Sequence, residues 1–346
     1  MSLSRRRVLS CLAGLAVGPF VSPNCSAAGD FSTLRLVNSF GVGAGNDMLM
    51  RLVARHLSRL APEIRITVEN EPRGEGQIAL KRLFDGPDEK EAIVLLNNAI
   101  FYPDFWGNQP LPFSWSDLAI AGNITSLPHV LVMTGKSGIG SIDELIHSKD
   151  SFVVPTASTR AIHYYDSLFL NAALGTRLRP IPGYSGGSRI LAAVSGEAQA
   201  IIGNPRSLAE VLQMPGSKIV LRLNSVPLSP EYGAIPTLAD IATTEQASKI
   251  ALFINNVSQV ANLLAVSPKT STAEMAAIRQ IFRTVLDDRE FIAEAQKMGL
   301  SLDQMPFQDT ANRVKAMLSE IDADKAVLSS AVVCGLTRAE GGDTCP

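Results

Sequence analysis

A β-branched run, TLRLVNSF, is followed by a glycine-rich link, GVGAGND, and then by a stretch with Leu49, Leu52, Val53, Leu57 and Leu60 on one face. The next apolar run, IRITVEN, completes a strand, helix, strand unit. This unit constrains the chain most, because strands joined through a helix can lie side by side in parallel. The alternation then recurs. AIVLLNN (92–98) reads as a third buried strand and HVLVMTG as another. SFVVPTAS, LRPIP, AQAIIGN and KIVLRLN follow as short strands with helical segments between them, and NLLAVSP from Asn262 is a late strand. Ser141 with Glu144, and Ser271 with Glu274, are spaced as capping boxes that open helices. The pattern predicts an α/β fold with mostly parallel sheets. The strands fall in two runs, which predicts two domains with crossovers near Thr125 and around Asn255 to Ala261.

The N-terminus does not belong to this pattern. Arg5, Arg6 and Arg7 precede an apolar run from Val8 to Val21. That run is shorter than the ~20 residues a spanning helix needs, and it ends near the small residues Ser26, Ala27 and Ala28. Such an arrangement is an export leader, expected to cover residues 1–28, to be cleaved near Ala28 and to place the chain in the periplasm. SRRRVLS resembles the twin-arginine consensus and departs from it at Val8 and Ser10. An uncleaved anchor is the alternative. Cys11 and Cys25 would leave with the leader, while Cys334 and Cys345 remain. That pair either closes a small loop in an oxidising compartment or stays as two thiols in a frayed tail.

The link GVGAGND stands where a first strand ends and a first helix begins, the position at which parallel α/β folds bind ligands. Glycines let backbone approach a ligand closely, and a helix N-terminus offers unpaired N–H groups to an anion. The dinucleotide fingerprint needs a glycine where Asn46 stands, and no Gly-Lys-Ser/Thr follows. A nucleotide phosphate is therefore disfavoured and no cofactor is expected; a small carboxylate suits the same chemistry. The plain alternative is a tight turn with Asn46 or Asp47 as the helix cap.

SFGVGAGNDMLMRLVARHLSR followed by ITVENEPRGEGQIAL resembles the start of the Bug family, the periplasmic solute receptors of tripartite tricarboxylate transporters. The shared positions are Asp47, Arg51, Val68, Asn70, Pro72, Gly74 and Gly76. WSDLAIAGNITSLPHVLVM, SIDELI, TASTRAIHYYDSLF, IPGYSGGSRILAAVSGEAQAIIGN, IPTLADI and the helices from VSPKTSTAEM continue the likeness in order to Ser301. Asn46, Arg73, Glu75, Arg160 and the displacement of Tyr184 by Gly183 depart from the family pattern.

The resemblance implies a type II periplasmic-binding-protein fold: two α/β domains around a ligand cleft, joined by crossover strands. The first domain would take 29–128 and 258–330, the second 129–257, with 331–346 a C-terminal tail. It implies first-domain ligand contacts at Phe40, Gly41, Val42, Gly45, Asn46 and Asp47. Second-domain contacts are implied at Ala157, Ser158, Thr159 and Arg160, with His163, Tyr184, Ser185 and Asn204 nearby. Arg160 is added on chemistry, because a guanidinium at a cleft mouth can take a carboxylate bidentately. Asp47 is expected to cap its helix and fix the loop, since a bare carboxylate repels an anion. His163 is expected to hydrogen-bond the loop, with no second His, Cys or paired carboxylate at ligand spacing. Phe101, Tyr102, Phe105 and Trp106 form either a cleft wall or core packing.

The function so implied is capture of a small carboxylate between closing domains, for delivery to the membrane permease subunits of a tripartite transporter. A receptor of another transporter, or a sensor partner with this fold, is the alternative. An enzyme lacks support: G-x-S-x-G and H-E-x-x-H are absent, and of the four histidines His56 and His147 lie on helices without obvious partners while His129 begins a strand. With 31 basic and 33 acidic residues there is no field that asks for nucleic acid or a membrane surface. A monomer is expected.

Overall fold

The computed structural model describes residues 31–43, 45–86, 91–102, 117–184, 186–298, 300, 302 and 307–345. The leader, Phe105, Trp106 and Ser185 lie outside the described residues.

In chain order the first elements are β1 (Thr33–Asn38), α1 (Gly45–Leu60), β2 (Arg65–Asn70), α2 (Gln77–Asp85), β3 (Ala92–Asn97) and β4 (Ala119–Asn123). There follow β5 (Val130–Met133), α3 (Ile142–His147), β6 (Phe152–Pro155), α4 (Ile162–Leu174), β7 (Leu178–Ile181), α5 (Gly187–Ser195) and β8 (Ala200–Gly203). The last are α6 (Ala209–Leu212), β9 (Lys218–Arg222), α7 (Leu238–Ile241), α8 (Glu245–Gln259), β10 (Asn262–Val266), α9 (Thr272–Leu286), α10 (Arg289–Lys297) and α11 (Phe307–Ala339).

One sheet has the order β2-β1-β3-β10-β4; a second has β8-β5-β9, and β6 pairs with β7. The α/β class therefore holds, but the expectation of mostly parallel sheets does not. β1–β2, β1–β3 and β6–β7 are parallel, whereas β10 is antiparallel to β3 and β4, and β5 is antiparallel to β8 and β9. β5 enters its sheet straight from β4 of the other sheet, and β10 returns from α8. Neither is reached by a helix folding back along its own sheet, so nothing imposes a parallel direction.

β4 was not evident in the sequence. Its segment AIAGN is poor in β-formers, and tertiary contact accounts for its place. At Gly122 an added Cβ would lie 2.3 Å from the Phe307 ring, so only glycine lets α11 lie over this strand. The stretch expected as a crossover, around Asn255 to Ala261, covers the end of α8, which runs to Gln259, and the two residues before β10. It lies against the segment after β4. Asn262 N donates to Asn123 Oδ1 at 3.0 Å, and Ser126 Oγ donates to the Gln259 carbonyl at 2.9 Å.

The Ser271–Glu274 capping box forms in full. At α3 only half of one forms: Ser141 Oγ accepts from Glu144 N, but Glu144 reaches past it to the N–H of Gly140.

The largest core cluster draws on both sheets, with Val94 and Leu263 from one, Leu131 and Ile202 from the other, and Tyr102, Tyr165, Phe169 and Phe253 among them. Helix α11 packs on β4, α4 and α8. Its 33 residues give it a length of about 50 Å. The C-terminal segment is therefore ordered helix as far as Ala339, and beyond it Cys345 closes a disulfide to Cys334.

Candidate functional site

The parallel register of β1 and β2 sets Asn38 beside Asn70 at the carboxyl ends of both strands. The glycine-rich link leaves this edge and enters α1 at Gly45. Asp47, 2% exposed, points back under the loop. Its Oδ2 accepts the Gly43 N–H at 2.9 Å and Arg51 Nε at 3.1 Å. Its Oδ1 accepts Asn70 Nδ2 at 2.8 Å and Asn38 Nδ2 at 3.3 Å. Asn70 also donates to the Phe40 carbonyl at 3.0 Å, and Phe40 N donates to Asn38 Oδ1 at 3.2 Å. Burial alone would raise the Asp47 pKa, but the Gly43 N–H, Asn70 and Arg51 outweigh it and hold the carboxyl at about 2.

Asp47 thus fixes the loop as expected, although from inside the first turn of α1; neither it nor Asn46 is the cap. Gly43 has φ +78, a conformation other residues rarely adopt, and this lets its N–H turn inward. The loop's outer surface is free. Gly41, Val42 and Gly45 are exposed, Val42 to 77%. Among the described residues the N–H groups of Gly41 and Val42 have no acceptor. Gly76 supports the loop from below: at φ +93, an added Cβ would come 2.7 Å from Ser39 Cβ.

The loop expected to supply the second set of contacts leaves the carboxyl end of β6. Ala157 and Thr159 are exposed, Ser158 and Arg160 half-buried, and Ser158 Oγ accepts the Arg160 N–H at 3.1 Å. The segment after β7 lies against this loop, with Gly183 N donating to the Ala157 carbonyl at 3.2 Å and Tyr184 N to that of Thr156 at 3.0 Å. The Tyr184 hydroxyl donates to Glu197. Asn204 Nδ2 donates to the Pro128 carbonyl at 3.3 Å, which ties the end of β8 to the chain crossing.

Two groups of functional interest were missed from sequence. Arg189, in the first turn of α5, donates from Nε to the Pro155 carbonyl at 3.0 Å and from Nη2 to the Ile202 carbonyl at 2.7 Å. It sits at the carboxyl ends of β6 and β8, and burial lowers its pKa to about 10. No sequence signal distinguishes it from a solvated helix arginine.

The second group surrounds His163, which lies in the first turn of α4. Its ring stacks on His129 with centroids 5.4 Å apart and planes 21° from parallel. His129 Nε2 is 2.7 Å from Asp166 Oδ2, and Tyr102 donates to Asp166 Oδ1 at 3.0 Å. His163 Nδ1 is buried and has no partner among the described residues, in place of the expected bond to the loop. Burial, followed by the charges of Arg189 and His129, holds its pKa well below the ordinary value, so the imidazole is neutral. The reading that His163 has no partner at ligand spacing is corrected: Asp166 lies three residues on, the same face of a helix. Phe101 and Tyr102 are core residues, at 2% and 0% exposure. The other histidines also have partners. His56 on α1 bonds Glu294 of α10 at 2.8 Å, and His147 Nδ1 bonds the Asp143 carbonyl at 2.7 Å.

No protein-family model and no curated protein matches the sequence. Solved structures do match. MatC from Rhodopseudomonas palustris with bound malate aligns at TM-score 0.65 and 16% identity, over 86% of this chain and 98% of that one. The R. palustris protein Rpa4515 with adipate gives 0.66 and 15%, over 86% and 97%. The periplasmic binding protein BugD gives 0.64 and 14%, over 85% and 97%. The likeness establishes that this chain has the two-domain α/β fold of periplasmic solute-binding proteins.

Proposed function

We propose that the chain is an extracytoplasmic solute receptor that binds a small carboxylate between two closing α/β domains and delivers it to a tripartite-type membrane permease. The observation that carries this reading is the glycine-rich loop. Its one acidic residue is turned inward and spent on four protein donors, while among the described residues the N–H groups of the exposed Gly41 and Val42 have no acceptor. A loop built only as a turn has no need to neutralise and bury Asp47 in this way. Removing that charge from the surface leaves a positive helix terminus ready for an anion.

The second half of the site is the Ala157–Arg160 loop, with Arg189 behind it supplying positive charge at the ends of β6 and β8. Solved relatives of the same fold hold malate and adipate, both aliphatic dicarboxylates, and this supports the substrate class. We place the first domain at 29–128 and 258–330 and the second at 129–257, with closure about the paired crossings at Asn123–Ser126 and Gln259–Asn262. The receptor acts in the periplasm as a monomer after its leader is removed near Ala28, and it catalyses no reaction.

Thermal unfolding in the presence of dicarboxylates, tricarboxylates, aromatic carboxylates and neutral analogues tests this. A ligand at a hundredfold its Kd adds about 2.7 kcal/mol of stability. A shift with one carboxylate class is expected, weakened in Arg160→Ala and in Arg189→Gln. No shift with any carboxylate, or an equal one with the neutral analogues, overturns the reading.

A further inference from the structure

We propose that His129, His163 and Asp166 form a binding site for a divalent first-row transition metal of the zinc type, lying inside the second domain beside its contact with Tyr102.

Three segments distant in sequence meet here: the entry to β5, the first two turns of α4, and the segment after β3 through Tyr102. One ligand atom from each of the three residues lies within 4.8 Å of the other two. A tetrahedral ion with bonds of about 2 Å needs its ligand atoms about 3.3 Å apart, so the cluster closes on a metal by small side-chain movements. Two imidazoles and one carboxylate are a donor set that suits zinc. Asp166 is fully buried, and its second oxygen is held by Tyr102, the kind of outer hydrogen bond that orients a ligating carboxylate.

The orphaned atom is the second, independent observation. A buried ring nitrogen without a partner is costly, and such atoms in native proteins call for an explanation. His163 Nδ1 has none among the described residues, and a metal held by this nitrogen together with His129 and Asp166 would supply one. A dication on one carboxylate leaves one positive charge beside the Arg189 guanidinium, which disfavours further positive charge here, so an anion such as hydroxide or chloride is needed at the fourth position.

A second cluster, His56 with Asp288 and Glu290, has comparable spacing. There Arg59 already occupies the centre, bonded to His56 Nδ1 at 3.1 Å and to Asp288. That site is a salt-bridge network, and His56 serves as the control.

The test uses the full chain without an affinity tag, freed of metal by dialysis against chelator and titrated with ZnCl2 by calorimetry. One equivalent of Zn2+ is expected to bind. His163→Gln and His129→Gln should each weaken it at least about tenfold, whereas His56→Gln should leave it unchanged. Because the histidine variants risk misfolding, Co2+ is added to the unmodified chain as well. Intense visible bands of a tetrahedral ion support the site. Absence of saturable one-to-one Zn2+ binding, weak octahedral Co2+ bands, or undiminished affinity in folded His163→Gln overturns it. This outcome is independent of the carboxylate screen.

Discussion

Tyr102 donates its hydroxyl to Asp166 Oδ1 at 3.0 Å, joining the segment after β3 to helix α4 sixty-four residues on. Burial, and then the negative Asp166, hold the phenol's pKa well above its ordinary value, so the group remains a donor at any ordinary pH. Its ring also packs on Tyr165 and Phe253, each with a centroid distance of 5.1 Å. Tyr102→Phe keeps that packing and removes one donor from a buried carboxylate. A loss of about 1–3 kcal/mol is expected, read as a lower urea midpoint at unchanged slope. A midpoint equal to that of the parent would show that the bond contributes nothing.

Asp47 should make stability depend on acid. Its folded pKa of about 2 lies below the ordinary carboxyl value of 3.8, so its contribution is fully present above about pH 4 and is lost as pH falls towards 2. The shift corresponds to about 2 kcal/mol. Asp47→Asn should be less stable by that order at pH 7, with the gap narrowing near pH 2. Urea unfolding at several pH values measures it, and a gap that stays constant with pH would contradict the assignment.

Gly335 lets α11 meet α4. A Cβ there would lie 2.2 Å from the Leu168 carbonyl oxygen, and Asn171 Nδ2 donates to the Gly335 carbonyl at 3.2 Å across the same contact. Backbone, not a flexible side chain, is in the way. Gly335→Ala is therefore expected to cost about 1–3 kcal/mol despite alanine's better helix propensity. Thermal unfolding decides between them, since propensity alone predicts a gain.

The Cys334–Cys345 bridge closes a loop with a sequence separation of 11. Loops of this size contribute about 3 kcal/mol. Replacing both cysteines by alanine should lower stability by about 2–3 kcal/mol and make it insensitive to reductant. If reductant leaves the unmodified chain's unfolding curve unmoved, the bridge does not contribute to folding.

Sequence by itself determined the local elements, because their signals are local. Leu49, Leu52, Val53 and Leu57 recur at helical spacing and are buried in α1, and Ser271 with Glu274 caps α9 as spaced. The glycines of the loop mark a turn at the end of β1, and one of them, Gly43, needs its positive φ there. What depends on pairing over long distances was not legible. The directions of β5 and β10 follow from which sheet each strand enters. β4 is a strand through its pairing with β10, with room for Phe307 over Gly122, and the partners of Asp47 follow from the register of Asn38 with Asn70. His163 and Asp166 stood one helical turn apart in plain view, but His129 and Tyr102 reach them only through folding. A motif records neighbours along the chain; burial and charge are set by neighbours in space, and only the tertiary structure decided those.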